Sequence, residues 1–161
     1  MSEPTPPSAG PVRLTAATDA DMRSLGVRLA ALLAPGDLLV LTGGLGAGKT
    51  TLTQGIGAGL AVPGAVVSPT FVIARVHRGG RLPLVHADAY RLGSVAEVDD
   101  LDLDASLEES VTVVEWGEGL VEGLTGDRLE IVIEPGADER RTVTLTGVGA
   151  RWRGVPLPDT V

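Results

Sequence analysis

The sequence predicts an α/β fold in three layers around a mixed, mainly parallel sheet, and three observations carry that expectation. Residues 38–41 (LLVL) and 111–114 (VTVV) are short, predominantly apolar runs, the pattern of strands buried on both faces. Residues 43–50 (GGLGAGKT) follow the first run, precede a helical segment and fit G-x-x-x-x-G-K-[ST], the P-loop. Residues 129–134 and 142–146 alternate between apolar and polar on either side of Pro135-Gly136, which predicts a C-terminal antiparallel hairpin. Together these describe a P-loop NTPase-like fold.

The elements follow in chain order. Residues 1–11 (MSEPTPPSAGP) have no basic region and no apolar stretch, so they do not read as a signal peptide, and a disordered tail is expected there. A single domain is expected over 12–147, opening with a short strand at 12–15. Thr18 offers an N-cap, Asp19 and Asp21 place acids in the first turn, and Met22, Leu25, Leu29, Leu32 and Leu33 recur at helical spacing, so a helix is expected over 18–33. Pro35-Gly36-Asp37 stops it. After the strand at 38–41 and the P-loop, a second helix should run to about Leu60, before Pro63-Gly64. Residues 71–76 alternate like a strand and turn through Arg78-Gly79-Gly80-Arg81 into a partner at 82–87. Residues 94–110 are acidic and expected to be helical in part; the strand at 111–114 and the hairpin follow. Residues 148–161, rich in Pro and Arg, are expected to form a loose C-terminal tail.

Composition narrows the function. At 161 residues the chain is one domain with room for a sizeable core, and with aromatics at 2% that core must be built from Val, Leu, Ile and Ala. A net charge of −8 argues against gripping RNA or DNA unaided, since phosphate neutralisation dominates such affinity, and against an anionic membrane surface. The absence of Cys excludes a disulfide framework, thiol chemistry and Cys-based zinc sites, and two His are too few for a metal cluster. No apolar run approaches a membrane span. A cytoplasmic protein, monomeric when isolated, is expected.

Of the 13 basic residues, Lys49 is the one lysine; the other 12 are arginine. A compact ammonium fits between phosphates where a planar guanidinium does not, so a chain that uses arginine almost everywhere else and lysine here points to a phosphate site. Gly43, Gly44, Gly46 and Gly48 let the backbone turn successive N–H groups toward phosphate oxygens, with Leu45, Ala47 and Thr51 completing the cradle. The following helix adds its positive end. Lys49 should reach the β and γ phosphates of a nucleoside triphosphate and the Thr50 hydroxyl should ligate Mg²⁺.

A magnesium-orienting carboxylate often closes a neighbouring buried strand, and Glu115 follows the run at 111–114. Asp88 is a second candidate, to position water or join the magnesium shell; if its segment is extended, His86, Asp88 and Tyr90 share one face. With no second lysine there is no N-K-x-D guanine-reading motif, and no LSGGQ-like stretch marks a transporter ATPase. A small-molecule kinase with an arginine-bearing lid remains an alternative, through Arg75, Arg78 and Arg81 or Arg140 and Arg141. So does a nucleotide-dependent binding switch whose hydrolysis is incidental.

Four motifs stand in order: GGLGAGKTT at 43–51, SPTF at 68–71, HADAYRL at 86–92 and VVEWGE at 113–118. In order and spacing they resemble the bacterial TsaE (YjeE) family, over essentially the whole folded chain. The resemblance implies a small ATPase required for threonylcarbamoyladenosine formation in tRNAs that read codons beginning with A. It would act with the TsaB–TsaD pair, which transfers the threonylcarbamoyl group made by TsaC. It also implies that the loop and Lys49 hold ATP, that Thr50 and Glu115 hold Mg²⁺, and that Asp88 is needed for hydrolysis. Ser68 and Thr70 would belong to a switch-like segment near the γ-phosphate, with Tyr90 and Arg91 supporting and Trp116 beside the site. Two positions depart from the family pattern: Gly44 replaces an acid, and Asp102 stands where glycine is common. With its acidic charge, the chain would leave tRNA binding to its partners. The seven acids and no base between Glu97 and Glu109 mark either a solvated face or a face that docks on a basic partner.

Overall fold

In a computed structural model, residues 9–44, 48–63, 74–88, 109–115 and 127–160 are described. They form seven strands and two helices in the order β1 (Ala9–Ala16), α1 (Asp19–Ala30), β2 (Leu38–Thr42), α2 (Lys49–Gly59), β3 (Ala74–His77), β4 (Leu84–Asp88), β5 (Val111–Glu115), β6 (Arg128–Pro135) and β7 (Arg141–Val148). One sheet holds all seven, in the order β1-β7-β6-β2-β5-β4-β3. The four central strands β6, β2, β5 and β4 are parallel, and antiparallel strands flank them on both sides. This is the mixed α/β sheet that the sequence predicts.

Local chemistry explains the element ends. Thr18 caps α1 by accepting from Asp21 N–H, which satisfies one orphan donor of the helix, and Asp21 Oδ2 accepts from Ala17 N–H just ahead of the cap. The helix stops at Ala30, three residues short of the expected end, and Arg81 donates to the carbonyls of Ala30 and Leu33. β2 and β5 are buried along almost their whole length, as central parallel strands must be. Helices α1 and α2 pack against each other. Their approach needs glycine: a Cβ on Gly55 would fall on the Arg23 carbonyl, and one on Gly26 on the Leu52 carbonyl.

The main core joins the inner faces of α1 and α2 (Leu25, Leu29, Leu52, Ile56) to one face of the sheet (Leu39, Leu41, Leu84, Val113, Leu129, Ile131). The alternate residues Leu38, Val40, Val85, Ala87 and Val114 are buried on the other face, so the sheet is covered on both sides.

Both termini depart from the expectation. β1 begins at Ala9, where Ala9 pairs with Gly147, so residues 9–11 of the segment expected to be a tail lie in a strand. Residues 149–160 are docked. Trp152 is fully buried in the core, and Val155 and Leu157 pack against it. Arg151 makes two contacts of 2.9 Å to the Asp37 carboxylate and donates to Leu32 O. A Pro/Arg-rich composition hid this, because one buried Trp and one paired Arg anchor a segment that has no periodicity of its own. β3 runs over Ala74–His77; the first part of the strand expected at 71–76 lies outside the described residues, as does nearly all of the acidic segment 94–110.

Candidate functional site

The site is built where the parallel strands end. Gly43 and Gly44 follow Thr42, the last residue of β2, and α2 starts at Lys49. Gly48 caps α2 at φ 106°, a left-handed value that favours glycine. Its surroundings favour glycine too, since a Cβ there would lie 3.3 Å from Met22 Cε and 3.5 Å from both Cδ and Nε of Arg141. Lys49 is 7% exposed, and its ammonium donates to Gly43 O at 2.7 Å, so the side chain folds back along the loop toward its start. Thr50 and Thr51 sit in the first turn of α2, which carries no acidic residue. Free N–H groups and the positive end of the helix dipole favour an anion there. Leu45, Gly46 and Ala47 lie outside the described residues.

Glu115 ends β5 and is the Cα partner of Leu41 in β2 and of Asp88 in β4. Three strand ends are therefore level, and the loop leaves β2 just beyond Leu41. Glu115 is almost fully buried. Its Oε2 lies 3.1 Å from His86 Nε2, and the His86 side chain is wholly buried. A carboxylate accepting this bond requires the Nε2–H tautomer as donor; among the described residues Nδ1 has no hydrogen-bond partner. Strand alternation places His86 and Glu115 on the same sheet face as Leu84 and Val113, which belong to the core under α1 and α2. The imidazole thus fixes the orientation of a carboxylate beside the loop.

The structure places Asp88 at the end of β4, level with Glu115. Ser68, Thr70, Tyr90, Arg91 and Trp116 lie outside the described residues. Among the described residues no three His, Cys, Asp or Glu converge as a metal cluster. Mg²⁺ needs no such cage, since it keeps waters and takes one or two protein oxygens plus substrate phosphates. The Thr50 hydroxyl and the Glu115 carboxylate are donors of that kind.

The sequence reading missed the opposite flank of the loop. Arg141 opens β7 and its side chain reaches Gly48, while its Nη1 donates to Asp19 Oδ1 at 2.9 Å. The signal in the sequence is an arginine at the first position of a strand after a polar turn, a pattern that also fits a kinase lid. Arg81, another lid candidate, is engaged by the carbonyls at the end of α1.

Comparisons with known proteins agree with this fold. Residues 16–143 match the family model described as threonylcarbamoyl adenosine biosynthesis protein TsaE. The chain is 64% identical over 138 residues to a tRNA threonylcarbamoyladenosine biosynthesis protein TsaE of Streptomyces coelicolor, covering 81% of this chain and 93% of that one. It is 45% identical over 124 residues to the Bacillus subtilis protein of the same description, covering 76% and 77%. The crystal structure of YdiB from Bacillus subtilis superposes with a TM-score of 0.73 at 35% identity, covering 88% of each chain.

Proposed function

This chain belongs to the TsaE family of tRNA threonylcarbamoyladenosine biosynthesis proteins, and we propose that it binds and hydrolyses ATP with Mg²⁺ as the accessory subunit of that modification. It acts with the TsaB–TsaD pair in the cytoplasm. The observation that carries the reading is the juxtaposition of Lys49, folded onto Gly43, with Glu115 at the end of the adjacent strand, oriented by His86.

The chemistry follows from those groups. Loop N–H groups and the α2 dipole bind the phosphates, and Lys49 transfers its hydrogen bond from Gly43 O to phosphate oxygens. Thr50 and Glu115 would hold Mg²⁺, which neutralises charge on the β and γ phosphates when bound. Asp88, level with Glu115, orients the attacking water or the metal's own waters.

The partner requirement rests on family membership and on charge. With net charge −8 the chain is a poor ligand for tRNA, so the RNA surface belongs to its partners. γ-Labelled ATP tests the reaction class. Free labelled phosphate supports the proposal, label on a metabolite supports a kinase, and binding without turnover supports a switch.

A further inference from the structure

We infer that the C-terminal segment, residues 149–160, is a clasp that seats the phosphate-loop helix on the sheet and thereby sets where Thr50 stands relative to Glu115. This rests on the reading that these two residues hold the metal of a bound nucleotide. It gives a role to a docked segment that meets β2 at the end opposite the loop.

The candidate metal ligands stand on different bodies. Glu115 belongs to the sheet, on β5, and so does His86, on β4. Lys49 and Thr50 belong to α2. That helix meets α1 backbone to backbone. A Cβ on Gly55 would fall on the Arg23 carbonyl, and one on Gly59 would lie 2.5 Å from Ala30 Cβ and 3.0 Å from Val27 Cα. Contact so close leaves no compliant layer between the helices, so they shift as one body. The distance from Thr50 to Glu115 then depends on how that helix pair sits on the sheet.

The clasp bridges the two bodies. On the helix side, Arg28 of α1 donates through Nη1 to Thr160 O at 2.6 Å and to Thr160 Oγ1 at 3.1 Å. Arg151 Nη2 donates to Leu32 O at 2.7 Å, just past the helix end. On the sheet side, Nε and Nη2 of Arg151 both reach the carboxylate of Asp37, the residue before β2. The Arg151 N–H reaches Asp127 Oδ1 at 3.5 Å, just before β6. Trp152 fills the core beneath, its ring centroid 4.5 Å from the Arg151 guanidinium. The two ends of the clasp differ. Trp152 is closed off from solvent, whereas Arg28 and Thr160 are exposed. Local opening follows that gradient of burial, so the tip opens while the anchor holds.

The test releases the tip and keeps the anchor, with Arg28→Ala and with a chain ending at Pro158. ATP binding is titrated with and without Mg²⁺, beside phosphate release and a thermal melt. Both variants should bind metal-free ATP as wild type does and melt close to it, since the altered positions are exposed. The Mg²⁺ concentration that half-saturates the tightening of ATP binding should rise at least about fivefold, approaching the roughly 10–100-fold cost of losing a direct partner of a metal ligand. Phosphate release should fall at least about fivefold, short of the roughly 100-fold that a misplacement of about 1 Å can cost. Arg28→Lys, which keeps a donor toward Thr160 O, should recover most of both. Wild-type Mg²⁺ dependence in either tip variant would overturn the clasp. So would a loss of release that tracks a loss of thermal stability with the Mg²⁺ requirement unmoved, and so would wild-type ATP binding that ignores Mg²⁺. ATP bound by wild type without turnover would overturn the hydrolysis reading and leave the clasp to be decided by the Mg²⁺ titration. Wild type that binds no ATP would overturn both.

Discussion

His86 Nε2 and Glu115 Oε2 stand 3.1 Å apart across neighbouring parallel strands, with both side chains closed off from solvent. The sheet supplies the rigidity, because β4 and β5 are paired from Leu84↔Val111 through Asp88↔Glu115. A carboxylate so held presents one orientation to whatever binds the loop beside it. His86 is a positioning residue in this account.

His86→Ala should therefore lower phosphate release while leaving ATP binding largely intact. It should also destabilise the fold by about 1–3 kcal/mol, because it leaves a buried carboxylate without its donor. His86→Gln can still present an N–H and should recover part of the turnover. Thermal unfolding read beside phosphate release separates the two effects; equal losses in both variants with normal stability would deny the orienting role.

Lys49→Ala should remove productive ATP binding and leave the chain folded. The lysine donates to the Gly43 carbonyl, and losing a hydrogen bond of that kind costs the fold about 1–3 kcal/mol. Titration with Mg-ATP and a thermal melt check both parts. Micromolar affinity retained with full hydrolysis would remove Lys49 from the site.

Trp152→Ala should cost about 3–5 kcal/mol, the usual effect of emptying a buried Trp site. Arg151→Ala should destabilise as well, since it leaves Asp37 buried without its cation. Denaturant unfolding of both variants is the check; native stability in a chain cut at residue 148 would show that the last segment is dispensable.

What was legible in the sequence is what local physics encodes. The Thr18 cap, the apolar runs that became β2 and β5, the P-loop and the alternation that became β6 and β7 each reflect neighbours within a few residues. What was illegible depends on long-range pairing. Nothing local says that β1 lies outside β7, that Trp152 fills the core, or that Arg141 meets Asp19 across 122 positions. The site divides the same way. Motif and strand ending single out Lys49 and Glu115 as candidates, whereas the His86–Glu115 bond spans 29 positions and needs the register of β4 against β5.

The isolated chain should not bind tRNA appreciably at physiological salt. At −8 its long-range field repels a polyanion, and its arginines form no basic run. A filter-binding titration is the check, and submicromolar affinity for the chain alone would overturn the electrostatic argument.

The central claim, that this loop and carboxylate hydrolyse ATP in service of a partner, is tested most directly by phosphate release from γ-labelled ATP. It is measured for wild type and for the Glu115→Gln and Asp88→Asn variants, with and without the TsaB–TsaD pair. The account predicts slow release by wild type alone and a large rise with the pair, because a partner that supplies or orders a charged group at the γ-phosphate is worth about 10³–10⁵ in rate. It also predicts collapse in both variants while ATP still binds. Fast release by the chain alone, unchanged by the pair and undiminished in the variants, would contradict it.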